Sequence, residues 1–238
     1  MSIVKPFKGL RPPQDIVSNV ACLPYDVMNA EEAAQMAAGK PESLLHITRA
    51  EIDFDYEIDP HEEVVYQKAF DTYHQFMQDG ILNQDTESKF YIYAQTMNGR
   101  TQYENGIIKK HELTRPDKEE DRKVLMRKLK ANIEPVFFTY RAVPELDAIV
   151  ATIIQNKPIY DFTAEDGFGH HFWVIDDAAT NQKIEELFRT KVPFTYVADG
   201  HHRTAAAAGI GNEFTAQNPN HTGTESYNYF MAVYFFFF

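Results

Sequence analysis

An α/β class with a mixed, α+β type of sheet is what this sequence predicts, on three observations. Segments rich in β-branched and aromatic residues alternate with segments of helical period. Of the 238 residues, 44% are apolar or aromatic, enough to bury the core of one large or two smaller domains. The segment VPFTYVADGHHRTAAAA, residues 192–208, reads as strand, tight turn and helix in immediate succession.

Taken in order, Val20-Ala21-Cys22-Leu23 predicts a short strand entering the turn Pro24-Tyr25-Asp26. Asn29 is placed to cap a helix through Ala38, with Glu31 and Glu32 at its positive end and Gly39-Lys40-Pro41 closing it. Between Pro60 and Gly80, the near-helical spacing of Val64, Val65, Phe70, Tyr73, Phe76 and Met77 predicts an amphipathic helix. Phe90 to Gln95 is β-rich and Asn98-Gly99 is a turn signal, so Phe90–Tyr103 reads as a hairpin. A Lys-rich helix then follows the charged stretch NGIIKKHELTRPDKEEDR, and Glu134–Tyr140 reads as a strand. Residues 144–156 and 180–190 look helical, while His170–Ile175 and Phe194–Ala198 look like strands. No internal repeat is present. The closing MAVYFFFF is a strand-like run without a polar exit, and Tyr103-Glu104 runs abruptly into the charged stretch. Both read as places where the protein would have further residues, internally or beyond the last one.

Charge and cysteine content narrow the function classes. Lys plus Arg number 23 against 35 Asp plus Glu, a net charge of −12, which repels polyanions and argues against DNA binding. Cys22 is the single cysteine, so no intramolecular disulfide and no cysteine zinc cluster can form, and a cytoplasmic location is expected. Within an apolar run, Cys22 reads as core rather than nucleophile. Neither a secretory signal nor an apolar stretch of membrane-spanning length is found.

The chemistry concentrates in two segments. In the first, a helix opening after Gly200 leaves backbone N–H groups without intrahelical partners, so His202, Arg203 and Thr204 are placed to meet a phosphate, and the adjacent His201 and His202 suit a functional cluster better than mere capping. Arg203 adds a planar guanidinium suited to phosphate oxygens. Asp199, where the strand ends, is placed to orient a substrate group or hold a metal–nucleotide complex; its competing reading is a helix N-cap. In the second, KKHELTRPDKEEDR, the carboxylate of Glu112 is a candidate general base with His111 assisting. Asp117, Glu119 and Glu120 read as ordinary acidic residues of a helix start. A zinc-protease HExxH motif is excluded because Arg115 stands where its second histidine belongs. The pair His170-His171 reads as a turn entering a half-buried strand, or as lining a site. Tyr25 and Asp26, in an ordinary turn composition, join His111 and Thr114 as candidate substrate-binding residues.

Together these motifs carry a resemblance. VADGHHRTAA resembles the D-G-H-H-R element of the ParB/sulfiredoxin-like superfamily, above all its free serine kinases, and KKHEL resembles their upstream P-H-E loop. LPYDV, GIIKKHELTRPDKEEDR, ANIEPVF and YVADGHHRTAAA are similar to a bacterial domain-of-unknown-function family over most of the chain. The kinase resemblance implies a ParB/sulfiredoxin-like core with an N-terminal elaboration: an α/β region over residues 1–104 and a nucleotide-binding region over 105–238. It makes Glu112 the base on a substrate hydroxyl, assigns nucleotide phosphates to Gly200, His201, His202 and Arg203, and sets Asp199 beside the transferred group. Lys110 replaces the proline of P-H-E and the interval between the motifs is longer, which leaves serine itself in doubt as the acceptor.

The resulting expectation is a kinase that uses ATP or ADP with Mg²⁺ to phosphorylate a small-molecule hydroxyl, compatible with a homo-oligomer. The alternative is a ParB-like nucleotide-binding regulatory module without transfer chemistry. A third reading is a metal-dependent phosphohydrolase with Asp199, His201 and His202 as ligands.

Overall fold

Three sheets and eight α-helices make up the computed structural model over its described residues, 2–55, 58–97, 100–101 and 116–237. Near the N-terminus β1 (Leu10–Arg11) pairs antiparallel with β2 (Asn83–Gln84). The predicted strand at Val20–Leu23 is not formed. Instead α1 (Val17–Val20) is one helical turn, whose Val17 and Val20 are buried and whose Ala21 amide donates to the Val17 carbonyl. Burying Val20 in the helical core outweighed the β preference of a short apolar run that had no ladder to join. The next prediction holds at its start and overruns by one residue: α2 (Ala30–Ala37) begins at Asn29, whose side chain accepts from the Glu32 amide, while Glu32, read only as a charge at the positive end, accepts from the Asn29 amide.

A short turn, α3 (Leu45–Thr48), leads to the amphipathic α4 (Glu63–Gln78). Val65, Tyr66, Ala69, Tyr73 and Phe76 form its buried stripe, whereas Val64 lies 46% exposed on the opposite side. This stripe, with Val20, Ile47, Leu82, Leu125 and Leu129, is the first core. Two residues of it come from α5 (Pro116–Leu129), which opens with Pro116 and acidic Asp117 and Glu119 and closes with Arg127 and Lys128, in keeping with the helix dipole.

The largest sheet runs β4 (Arg100–Thr101), β3 (Phe90–Met97), β7 (Phe168–Ile175), β6 (Tyr160–Thr163), antiparallel throughout. Of the hairpin read over Phe90–Tyr103, the described part pairs Thr96 with Thr101 and Met97 with Arg100, and residues 98–99, 102 and 103 lie outside the described residues; β6 had no separate sequence signal. Because Phe90 pairs with Ile175 and Met97 with Phe168, this sheet draws on both sequence regions. Helices α6 (Pro144–Ile153) and α7 (Ala178–Lys191) contribute Leu146, Ile184, Leu187 and Phe188 to a second core that also holds Tyr140 and Ile175. The third sheet sets β5 (Val136–Arg141) between antiparallel β8 (Tyr196–Asp199) and parallel β9 (Ala232–Phe237). Ala232–Phe237 of MAVYFFFF therefore form the strand its composition suggests, and Phe238 lies outside the described residues. Finally α8 (His201–Gln217) follows β8 after one residue and packs along α5.

Candidate functional site

The site begins where β8 gives way to α8. Asp199 is the last strand residue, opposite Phe137 of β5, and Gly200 turns the chain at φ +83°, a left-handed conformation in which a side chain is strained. Space demands glycine as well, since a Cβ there would lie 3.2 Å from Val136 Cγ1. Gly200 is thus the N-cap, and the competing reading of Asp199 as the cap is not what forms. Side-chain capping is absent, so the amides of the first turn keep their positive end uncovered by a cap. Thr204 bonds back into the turn: its amide and hydroxyl donate to the Gly200 carbonyl at 2.8 and 2.9 Å.

Arg203 folds beneath this turn and is only 3% exposed. Its Nη1 donates to the Pro135 carbonyl at 2.7 Å, its Nη2 donates to Asp199 Oδ2 at 3.0 Å, and Asp26 Oδ2 stands 3.8 Å from the same nitrogen. The guanidinium fork is therefore largely filled by protein acceptors. Its charge reaches the turn as a buried field more than as an open fork. Nε has no hydrogen-bond partner among the described residues.

Tyr25 ties the N-terminal segment to this point. Its short 3₁₀ turn, Tyr25–Val27, presents Asp26 to Arg203, while the Tyr25 ring lies under the Arg122 guanidinium at 3.9 Å and 6.0 Å from that of Arg203. The Tyr25 amide donates to Glu134 Oε1 at 3.0 Å, and Arg49 Nη1 donates to the carbonyls of Tyr25 and Met28, both at 2.8 Å. Burial pushes the Tyr25 phenol up to about 12. Burial likewise holds the Glu134 carboxyl above its usual range, against the pull of the Tyr25 amide, Arg122 and Arg203. Asp121 lies the other way. Burial works to raise it, but Arg122 and the Tyr66 hydroxyl, which donates to it at 2.6 Å, bring its carboxyl below the usual range. A cavity of about 20 Å³, room for roughly one water, is bordered by Thr48, Arg122, Glu134 and Arg203.

The structure thus brings together Tyr25, Asp26, Asp199, Gly200 and Arg203 from positions far apart in sequence. His201 and His202 occupy the first turn of α8, both partly exposed. His111, Glu112 and Thr114 lie outside the described residues. The helix that follows them, α5, is fastened to α8. Arg127 donates to both carboxylate oxygens of Glu213 at 2.9 Å, and the Lys123 side chain crosses Gly209 so closely that a Cβ there would come within 2.5 Å of Cε.

Sequence reasoning missed Arg49, Arg122 and Glu134, which hold Tyr25 in place. A signal for two of them was present: Glu134 precedes a proline at a strand entry, and Arg122 ends the acidic run of a helix whose inner face is otherwise apolar. The pair His170-His171 sits on β7, in a different sheet from β8. Cys22 is partly buried against Ala33, Ala37 and Leu45, and burial pushes its thiol up to about 12. Among the described residues no group of three or more His, Cys, Asp or Glu is arranged to hold a metal, so Asp199, His201 and His202 make no such set. One or two carboxylates suffice for Mg²⁺ that arrives with phosphates, and at the turn these are Asp199 and Asp26.

Fold and site together define a mixed-sheet α+β protein built around a strand–glycine–helix turn that rests on a buried arginine–tyrosine cluster. The chain belongs to the family described as protein of unknown function (DUF1015), whose model matches residues 4–237. Searches of curated proteins and of solved structures found no match. No helix among the described residues is long and apolar enough to cross a membrane.

Proposed function

We propose that the protein is a nucleotide-dependent phosphotransferase acting on the hydroxyl of a small molecule in the cytoplasm, on a ParB/sulfiredoxin-like core, with ATP or ADP as donor. One observation carries the reading. The left-handed turn at Gly200 opens the long helix α8 without a side-chain cap, directly over the buried positive charge of Arg203. Amide donors and helix dipole share one sign at this place, over a guanidinium whose charge Asp199 and Asp26 offset in part, which suits a phosphate chain that brings its own cation.

In this reading the amides of His201, His202 and Arg203 take phosphate oxygens, and the two imidazoles flank them. Mg²⁺ bound with the nucleotide would neutralise phosphate charge, with Asp199 and Asp26 the carboxylates able to hold it. Glu112 accepts the proton of the substrate hydroxyl as that oxygen attacks the terminal phosphorus, and the shortened nucleotide leaves. His111 and Thr114 are assigned to the acceptor.

Calorimetric titration with ATP, ADP and CTP in Mg²⁺, followed by phosphorus NMR of reactions containing serine and other small alcohols, tests this. Glu112→Gln is expected to bind nucleotide normally and to transfer phosphate at least about a hundredfold more slowly. Absence of nucleotide binding, or unchanged transfer by Glu112→Gln, would overturn the proposal. Binding with no transfer to any acceptor would favour the regulatory alternative.

A further inference from the structure

A second concavity, of about 470 Å³, opens between α4 and the C-terminal end of α5 and shares no lining residue with the Arg203 cluster. Its volume falls within the range of small-molecule sites. Leu10, Phe70, Tyr73, Met77 and Leu129 supply apolar and aromatic walls, with Phe70, Tyr73 and Met77 on one face of α4. His74 packs edge-on against Phe70 at 4.3 Å, Gln84 adds an amide, and the charged residues that line the opening are Lys128 and Lys130. Not one lining residue is a carboxylate. In a chain with 35 acidic and 23 basic side chains, that local reversal of sign selects for a negative ligand.

Lys130 makes the case specific. Lys128 is held by Glu63 at 2.5 Å, whereas the Lys130 ammonium has no carboxylate partner among the described residues. Its backbone stands at φ +52°, the only positive φ outside glycine among the described residues, where its amide closes α5 on the Met126 carbonyl. A glycine fills such a helix end without strain. The lysine is therefore held in a costly conformation at the mouth of a cavity, a pattern associated with ligand sites.

We propose that this cavity binds a small amphipathic anion, an aromatic or short acyl body carrying a carboxylate, sulfonate or phosphate. The body lies against Phe70 and Met77, and the head pairs with Lys130.

The probe is 8-anilinonaphthalene-1-sulfonate, titrated by fluorescence against the whole chain, wild type and Lys130→Gly. One saturable site per chain is expected, competed by 2-naphthoate and not by the neutral 2-naphthalenemethanol at equal concentration. Lys130→Gly is expected to weaken binding about tenfold, the effect of losing one partly desolvated ion pair, while raising the melting temperature because the backbone strain is relieved. Folding is thus not at issue in this variant. Wild-type affinity in Lys130→Gly, equal competition by the neutral compound, or no saturable binding would each overturn the proposal.

Discussion

Two adjacent-histidine pairs, His201-His202 and His170-His171, look alike in sequence and sit in opposite circumstances. At the head of α8 neighbours lie about 100° apart around one helix end, so both imidazoles stay near the same uncapped amides. On β7 successive side chains point to opposite faces. His170 stacks on Phe162 at 4.9 Å with its Nδ1 2.7 Å from the Tyr93 hydroxyl, while His171 places Nδ1 3.0 Å from Asp161 and Nε2 3.2 Å from Thr96 Oγ1. Gly169 makes room for the second arrangement, since a Cβ there would fall 2.3 Å from Thr96 Oγ1. A doublet concentrates chemistry at a helix terminus and divides it on a strand.

The comparison breaks most sharply beneath the α8 pair. Arg203→Ala removes a buried cation from between Pro135, Asp199 and the Tyr25 ring, and is expected to cost about 3 kcal/mol, read as a lower urea midpoint with unchanged slope. A loss under 1 kcal/mol would mean that the cluster is not what holds the turn.

The two pairs can then be set against each other. His170→Ala is expected to destabilise by about 1 kcal/mol through lost stacking and hydrogen bonding, and to leave nucleotide affinity unchanged. His201→Ala should do the reverse, shifting stability by less than about 0.5 kcal/mol and weakening nucleotide binding about tenfold in calorimetry. Equal effects on binding would erase the distinction.

The smallest effects lie in pH dependence. Burial lowers the pKa of His170, so between that value and the ordinary 6.5 the unfolded chain binds the extra proton; this contribution is intact above 6.5 and is lost as pH falls. His46 is raised, chiefly by its hydrogen bond to Asp53 at 2.7 Å, so its contribution is intact below 6.5 and is lost as pH rises through the folded value. Melting temperatures from pH 5 to 8 should therefore flatten on the acid side in His170→Phe and on the alkaline side in His46→Asn. The same slope in both variants and the wild type would refute these assignments.

Much of this was legible in the chain itself. The Asn29 cap, the stripe of α4, the pairing of β3 with β4 and the β8–Gly200–α8 turn each rest on interactions between near neighbours, and each is where its residues suggested. What escaped depends on distant partners. Val17–Val20 became helical because Val20 joins a core shared with α4 and α5. Arg49 carries no local mark of its role, and the marks on Glu134 and Arg122 do not point to Tyr25, since each acts on it from another part of the chain. Arg203 was recognised as important from its motif, but its burial under Pro135 depends on the β5 entry more than sixty positions earlier.

The order of pairing around β5 has a consequence during synthesis. Val136 takes its parallel partner from Ala232, and Phe137 from Val233, so one flank of the strand waits for residues made long after it. At ribosomal speeds of roughly 5–20 residues per second that wait lasts several seconds. During it the aromatic flank of β5, with Phe137, Phe138 and Tyr140, is open to another nascent chain. Expression yield should accordingly depend on chaperone supply and growth temperature more than the stability of the finished molecule would suggest.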